Sequence, residues 1–473
     1  MSAKYFMVLI PALLSGCVSL DPHYDRPQGA VSTTLPSGEA YRSLQGTTAN
    51  YRDISWQDYV LDAQLRQVVA MALDSSRDLR EAVASVKSAH AQYGEQRANL
   101  FPTLSAGISG TRSRALTGEG NQTALSDSYS AQGSVSSFEL DLFGKNQSLS
   151  RQQYETYLGT LEGARSTRLT VLYNAVDYWL TLAADRSNLA IAKETAQSAR
   201  QSWEVTRRQM ENGIASMVDV ASAETTWRTA QADVASYATL VAQDKNALDL
   251  VVGQRVPDNL LPANIESLGN ALREVPAGIS SEAMLNRPDV LQAEHNLKAA
   301  NANIGAARAN FFPTISLTAS GGVGSAELSS LFKSGIGIWS FAPSVSLPIF
   351  QGGYNVSYLK YTQAQKEYYV AGYEKAVQTA FQEVADALAR RGTINDQLSS
   401  QRSNVAASQT YYRLADLRYR NGVDTFLNSL TAQRTLYTAR TSLVSTEQAY
   451  YQNLNTFYKV MGGGTALQES ELR

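Results

Sequence analysis

The sequence predicts a mostly α-helical chain with a small β part, written twice from one structural unit. Three observations carry this expectation. Arg97-Ala-Asn-Leu-Phe-Pro-Thr-Leu-Ser105 recurs as Arg308-Ala-Asn-Phe-Phe-Pro-Thr-Ile-Ser316, at an offset of 211 residues. Four short segments alternate apolar and polar residues, the period of a half-buried strand. The stretches 103–256 and 349–473 lack proline and are filled with alanine, glutamine, leucine and charged residues.

The elements follow in order. Met1-Ser-Ala-Lys4 and the apolar run Tyr5 to Leu14 read as a cleaved signal, too short to span a bilayer. Leu14-Ser15-Gly16-Cys17 resembles a bacterial lipobox, and Cys17 is the single cysteine of the chain. That resemblance implies a signal peptide over 1–16 and an N-acyl, S-diacylglycerol lipid on Cys17. Val18 and Ser19 follow where an aspartate would retain a lipoprotein at the inner membrane, so sorting favours the outer membrane. An extended segment over 17–60 leads into the first unit, 61–268; the second covers 269–473.

Each unit opens with a helix, 77–100 or 288–311. Asn99-Leu-Phe-Pro102 and Asn310-Phe-Phe-Pro313 end these helices, because the residue before proline is pushed out of the helical region. Strands follow at 103–112 and 132–143, and at 314–321 and 336–349, with polar loops near 111–127 and 322–334. Then comes a long helical hairpin. Leu169, Leu172, Val176, Trp179 and Ala183 form a coiled-coil-like stripe; so do Val370, Tyr373, Val377, Phe381, Val384 and Leu388. Asn212-Gly213 and Asn421-Gly422 mark the turns, since these residue types tolerate the left-handed conformation that ends a helix. From Gly144 to Gly213 and from Gly353 to Gly422 is 69 residues each, so an outgoing arm reaches ~100 Å at ~1.5 Å per residue. The return arms are shorter. The helix before each strand pair is placed to complete them by stacking end to end.

Composition removes several classes. One cysteine permits no disulfide framework, and a net charge of −2 lacks the basic face of a nucleic-acid binder. His23, His90 and His295 show no metal-ligand spacing. There is no phosphate loop and no nucleophile elbow. No enzyme, catalytic residue, metal or cofactor is expected.

Four strands cannot close a membrane barrel, because the smallest have eight. Inserted strands would have to be shared by several chains. Three copies would supply twelve strands and twelve helical arms; physics requires an oligomer without setting its number.

The lipobox, both Arg-Ala-Asn-x-Phe-Pro motifs, Phe138-Glu-Leu-Asp-Leu-Phe-Gly144 and both tips resemble the TolC-type outer-membrane factor family, in its lipoprotein branch. Arg418-Tyr-Arg-Asn-Gly-Val-Asp-Thr-Phe-Leu427, followed by Ala432-Gln-Arg434, is the most specific part. The resemblance implies a chain that is mostly α with a membrane β part. It implies a homotrimer whose 12-stranded β-barrel continues into a 12-helix periplasmic α-barrel. It implies an exit channel serving an RND-type multidrug efflux pump, with a periplasmic adaptor, an inner-membrane transporter and outer-membrane lipid as partners. Type I protein secretion and a non-conducting lipid-anchored scaffold are the alternatives. Asp219, Tyr419, Arg420, Asp424 and Leu427 are then gate candidates. Gly213, Ile214, Ser216, Gly422, Val423 and Thr425 are adaptor-contact candidates. Asn428 and Thr431 stand where the family often carries aspartate, which puts an acidic ring in doubt.

Overall fold

The computed structural model describes residues 19–27, 36–41, 53–116, 123–274, 282–333 and 336–465. Cys17 and the signal segment lie outside them. The long elements are α1 Ala63–Ser75, α2 Arg77–Ala98, β1 Leu104–Leu116, β2 Thr123–Leu140, α3 Lys145–Glu211 and α4 Met217–Val252. The second half repeats the order with α5 Pro288–Ala309, β3 Thr314–Ser325, β4 Ile336–Ser346, α6 Tyr354–Arg420 and α7 Phe426–Val460. Two helix pairs keep the duplication to the residue, with 22 residues each in α2 and α5 and 67 each in α3 and α6; the return arms α4 and α7 have 36 and 35.

The described residues form two compact units. The first takes in 19–27, 86–160 and 293–373. Its centre is one antiparallel sheet in the order β1-β2-β3-β4, so the two expected hairpins join through β2 and β3. All four strands differ in length from what the alternation predicts. β1 runs to Leu116 rather than 112, β2 starts at Thr123 rather than 132, and β3 reaches Ser325 rather than 321. Backbone pairing needs only N–H and C=O groups, so it continues where the apolar alternation has stopped. Directly opposed Arg112 and Asp127 form a cross-strand ion pair at 3.3 Å in that polar extension. At the other end β2 stops at Leu140, not 143, because Asp141 turns to accept the Gln147 backbone N–H at 2.8 Å near the start of α3. β4 stops at Ser346, not 349, ahead of Pro348, which has no N–H for a ladder.

An N-terminal strap lies along α5 in the same unit. Arg308 donates to the Leu20 carbonyl, Asn301 to that of Pro22, and Arg26 makes two bonds to Glu294. Asp21 meets Ser148 and Arg151 of α3. Gly305 makes the close approach of the strap possible, since a Cβ there would overlap the Asp21 carboxylate.

The second unit takes in 36–41, 53–85, 161–274, 282–292 and 374–465. Its core is the coiled-coil stripe read from the sequence: Trp179, Ala183, Val384 and Leu388 are buried there. The irregular segment after α4 packs onto it, with Trp179 Nε1 donating to the Leu260 carbonyl at 3.0 Å. Tyr59 and Tyr458 stack with centroids 4.0 Å apart. The stacking expected from arm lengths is found at both junctions. Gly253 caps α4 at φ +79° against the Ser75–Ser76 backbone, directly before α2. Arg287, directly before α5, donates to the Val460 carbonyl at the end of α7.

Candidate functional site: sheet faces and hairpin tips

The sheet has two chemically different faces. Leu104, Ile108, Val135, Ala319, Phe341 and Val345 fall on one face by register. Leu104, Ile108, Phe341 and Val345 are exposed and the central Val135 and Ala319 half-buried; Trp339 on the same face is 82% exposed and Leu104 78%. On the opposite face serines pair across the strands. Ser105 meets Ser134 at 3.1 Å and Ser109 meets Ser130 at 2.9 Å. The second hairpin repeats this with Ser316–Ser344 at 2.8 Å and Ser320–Ser340 at 3.0 Å. β1 and β4 each pair on one side only, leaving two edges open.

One irregularity keeps the faces separate. In β2 the apolar positions are odd through Val135 and even from Phe138. A bulge lies between them, with Ser137 at φ 48°. The extra residue restores the phase, so Phe138 opposes Leu317 and Leu140 opposes Ile315 on the apolar face.

The hairpin tips are built on the same plan twice. Gly213 and Gly422 take φ +73° and +71°, and the following N–H groups reach back to Gln209 and Arg418. Asn212 and Asn421 side chains close the last turn by donating to Arg208 and Leu417 carbonyls at 2.7 Å. Ser216 and Asp219 form a capping box at the start of α4. Thr425 caps α7 without a side-chain bond.

Asp424 supplies the missing fastening. It accepts from Asn428 at 2.8 Å, from the Thr425 backbone N–H at 2.8 Å and from Arg418 at 3.1 Å. The Asn428 bond first, then those from Thr425 and Arg418, holds the Asp424 carboxyl below its ordinary range. Asn428 also accepts from Tyr411 at 2.7 Å, a role the sequence reading missed. An aspartate there would set a second carboxylate against Asp424. The i, i+4 spacing of the two residues is the signal that could have found this pair.

The two tips also touch each other. Tyr419 donates to Gln209 of the other hairpin at 2.6 Å and packs on Phe426. Ala223, Phe426 and Leu430 form a small core beneath them, flanked by Trp203. Arg420 pairs with Asp416 along its own helix, away from this junction. Thr431 bonds back to the Leu427 carbonyl. Ile214, Val423 and Leu427 remain exposed, together with Met217 and Val218, which the sequence reading did not single out. Among the described residues no helix is long and apolar enough to cross a membrane, and no group of acidic, His or Cys side chains could hold a metal ion.

Comparison with known proteins agrees with this architecture. The chain is 41% identical over 466 residues to the probable efflux pump outer membrane protein TtgC of Pseudomonas putida, covering 98% of this chain and 96% of the relative. It resembles a crystal structure of a membrane protein from Pseudomonas aeruginosa, with TM-score 0.88, 34% identity, and 96% and 99% of the two chains covered. The open state of the Neisseria gonorrhoeae MtrE outer membrane channel matches with TM-score 0.84 and 33% identity, over 95% and 99%. The family model for outer membrane efflux proteins matches twice, at 68–254 and 279–463, which are the two halves of the duplication. The chain belongs to the outer membrane efflux protein family.

Proposed function

We propose that the chain is the outer-membrane exit channel of a tripartite RND-type multidrug efflux system, working as a homotrimer. The observation that carries this reading is the four-stranded sheet with one exposed apolar face, one hydroxyl face and two open edges. In lipid every backbone N–H and C=O needs a partner, so the edges must be closed by other copies. Three copies close a 12-stranded barrel, with the apolar face toward lipid and the serines toward the lumen. Their helical hairpins supply the twelve arms of a periplasmic tunnel. The serine hydroxyls are already paired with each other, so the wall holds passing solutes weakly, as conduction requires. The 41% identity to a protein named as an efflux pump component supports the same reading.

Transport is passive; energy comes from the inner-membrane transporter, reached through a periplasmic adaptor. Asp219, Tyr419, Arg420, Asp424 and Leu427 close the tunnel entrance. The adaptor seats at Gly213, Ile214, Ser216, Gly422, Val423 and Thr425, where exposed apolar side chains cluster. A lipid on Cys17 tethers the chain to the outer membrane. The test is conductance of the purified chain in a planar bilayer, with native mass spectrometry for copy number and drug susceptibility of a deletion strain. Expected are discrete channels, a trimer and increased susceptibility. A non-conducting monomer whose loss leaves susceptibility unchanged would overturn the reading in favour of a lipid-anchored scaffold.

A further inference from the structure

Four charged residues lie within the strands: Arg112, Arg114, Asp127 and Glu139. Register puts Arg112 and Arg114 on the face of Leu104 and Ile108, and Asp127 opposes Arg112 there. Those three sit in the polar extension of the first hairpin. Glu139 is placed differently. Past the bulge the parity of β2 reverses, so Glu139 opposes Ser316 and stands on the hydroxyl face. Every other strand residue on that face is uncharged: serine, threonine, glutamine, glycine, alanine or isoleucine.

Glu139 does not stand alone. Lys145, the first residue of α3, places its Nζ 3.3 Å from one carboxylate oxygen and 3.4 Å from the other. The Lys145 side chain is 33% exposed and that of Glu139 27%, so water reaches both. The helix does not account for the lysine. A helix N-terminus is the positive end of the helix dipole and favours an anion, and the first turn of α3 holds no acidic residue. A lone Glu139 would suit that end, whereas Lys145 opposes it. What Lys145 accomplishes is cancellation of the Glu139 charge. The second repeat needs no such answer. β4 contains no charged residue, and α6 opens with Tyr354 where α3 has Lys145. Each copy thus brings one carboxylate to the hydroxyl face and one ammonium that cancels it.

We propose that Glu139 and Lys145 determine the charge preference of the barrel. Paired, they leave the hydroxyl wall without net charge, and solutes pass it irrespective of their sign. Unpaired, three copies would line one end of the barrel with a ring of like charges, the device by which charged rings select ions. The pair lies where the sheet joins the helical arm, so every solute leaving the tunnel passes it. This rests on the three-copy barrel proposed above and adds which residues set its charge.

The test is the reversal potential of purified channels in planar bilayers under a KCl gradient, kept at or below about 0.1 M, where charges act over ~10 Å. Lys145→Gln uncovers the carboxylates and should raise the cation-to-anion permeability ratio roughly three-fold or more. Glu139→Gln uncovers the ammonium groups and should lower it by a similar factor. The double variant should return to the wild-type ratio. A pair that only braces strand against helix would give neither opposite shifts nor that return. Ser320→Asp sets a carboxylate in mid-sheet on the same face and serves as the control for the lumen. Unchanged ratios in both single variants, with a shift in Ser320→Asp, would overturn the role of the pair and leave the barrel standing. No shift in Ser320→Asp, or no conductance of the unaltered chain, would overturn the hydroxyl face as the lumen, and the role of the pair with it. Each single variant is read against the wild type by itself, so one that fails to insert leaves the other decisive.

Discussion

At the tip of α6 and α7 one carboxylate fastens the turn. Asp424 joins the helix that arrives, through Arg418, to the helix that leaves, through Asn428 and the Thr425 backbone. Asp424→Lys removes all three bonds and sets a cation beside Arg418. If the tips close the entrance, cells carrying this variant admit a large antibiotic normally excluded by the outer membrane several-fold faster. Unchanged entry together with unchanged drug export would count against a gating role. A second residue-scale effect lies between the arms of the first hairpin. Burial first, and then the neighbouring Asp185 carboxyl, pushes Asp244 up to about 7. An unfolded aspartate titrates near ~3.9. The folded state therefore holds its proton more tightly, and this contribution is largest below that value and lost as pH rises through about 7. Hydrogen exchange in α4, corrected for intrinsic rate, should be faster at pH 8 than at pH 5. Asp244→Asn should abolish the difference; a difference that persists would assign it to other groups.

Among the elements, the helices were the most legible. Their lengths are set by signals that act locally: proline at one end, Asn-Gly at the other, and a 3,4-spaced apolar stripe between. The strand ends were less legible because backbone pairing continues past the apolar residues that announce it, as at Arg112 and Asp127. The β2 bulge was not legible from alternation at all. A change of phase between Val135 and Phe138 reads equally as a strand end, and only the partner strand shows that one face is being kept. The tip candidates lie on the turns and in the adjoining helix ends, and Asn428, which reads from the sequence as a missing charge, donates to Asp424. The bulge carries its own prediction. Deleting Ser137 removes the extra residue, and Phe138 and Leu140 then stand in plain alternation with Val135, still on the apolar face. Outer-membrane insertion of this variant, read as the heat-modifiable oligomer on gels, should be retained. Loss of insertion in the deletion variant, with Ser137→Ala still inserting, would show that the bulge does more than keep the phase.

For the molecule as a whole, the strap breaks the symmetry of the duplication, since a chain has only one N-terminus to lay along one of two related helices. Glu294 is the centre of that attachment, with its side chain 3% exposed. Burial raises its pKa, but the bonds from Arg26 and Lys298 outweigh this and hold it below the ordinary carboxylate range. Arg26→Ala removes two charge-assisted bonds from a buried carboxylate, a loss of about 1.5–3 kcal/mol. Thermal unfolding of the detergent-purified protein should fall accordingly, and an unchanged midpoint would show that the strap adds nothing to stability. The direction of the strap has a kinetic consequence. It climbs α5 toward Arg308, six residues before the first residue of β3. The acyl chains proposed for Cys17 would start within roughly 7 Å of Ser19, two residues on, and one chain would bring lipid and sheet to the same membrane. Insertion of the β-hairpins then behaves as an intramolecular event at high effective concentration, not a search from the periplasm.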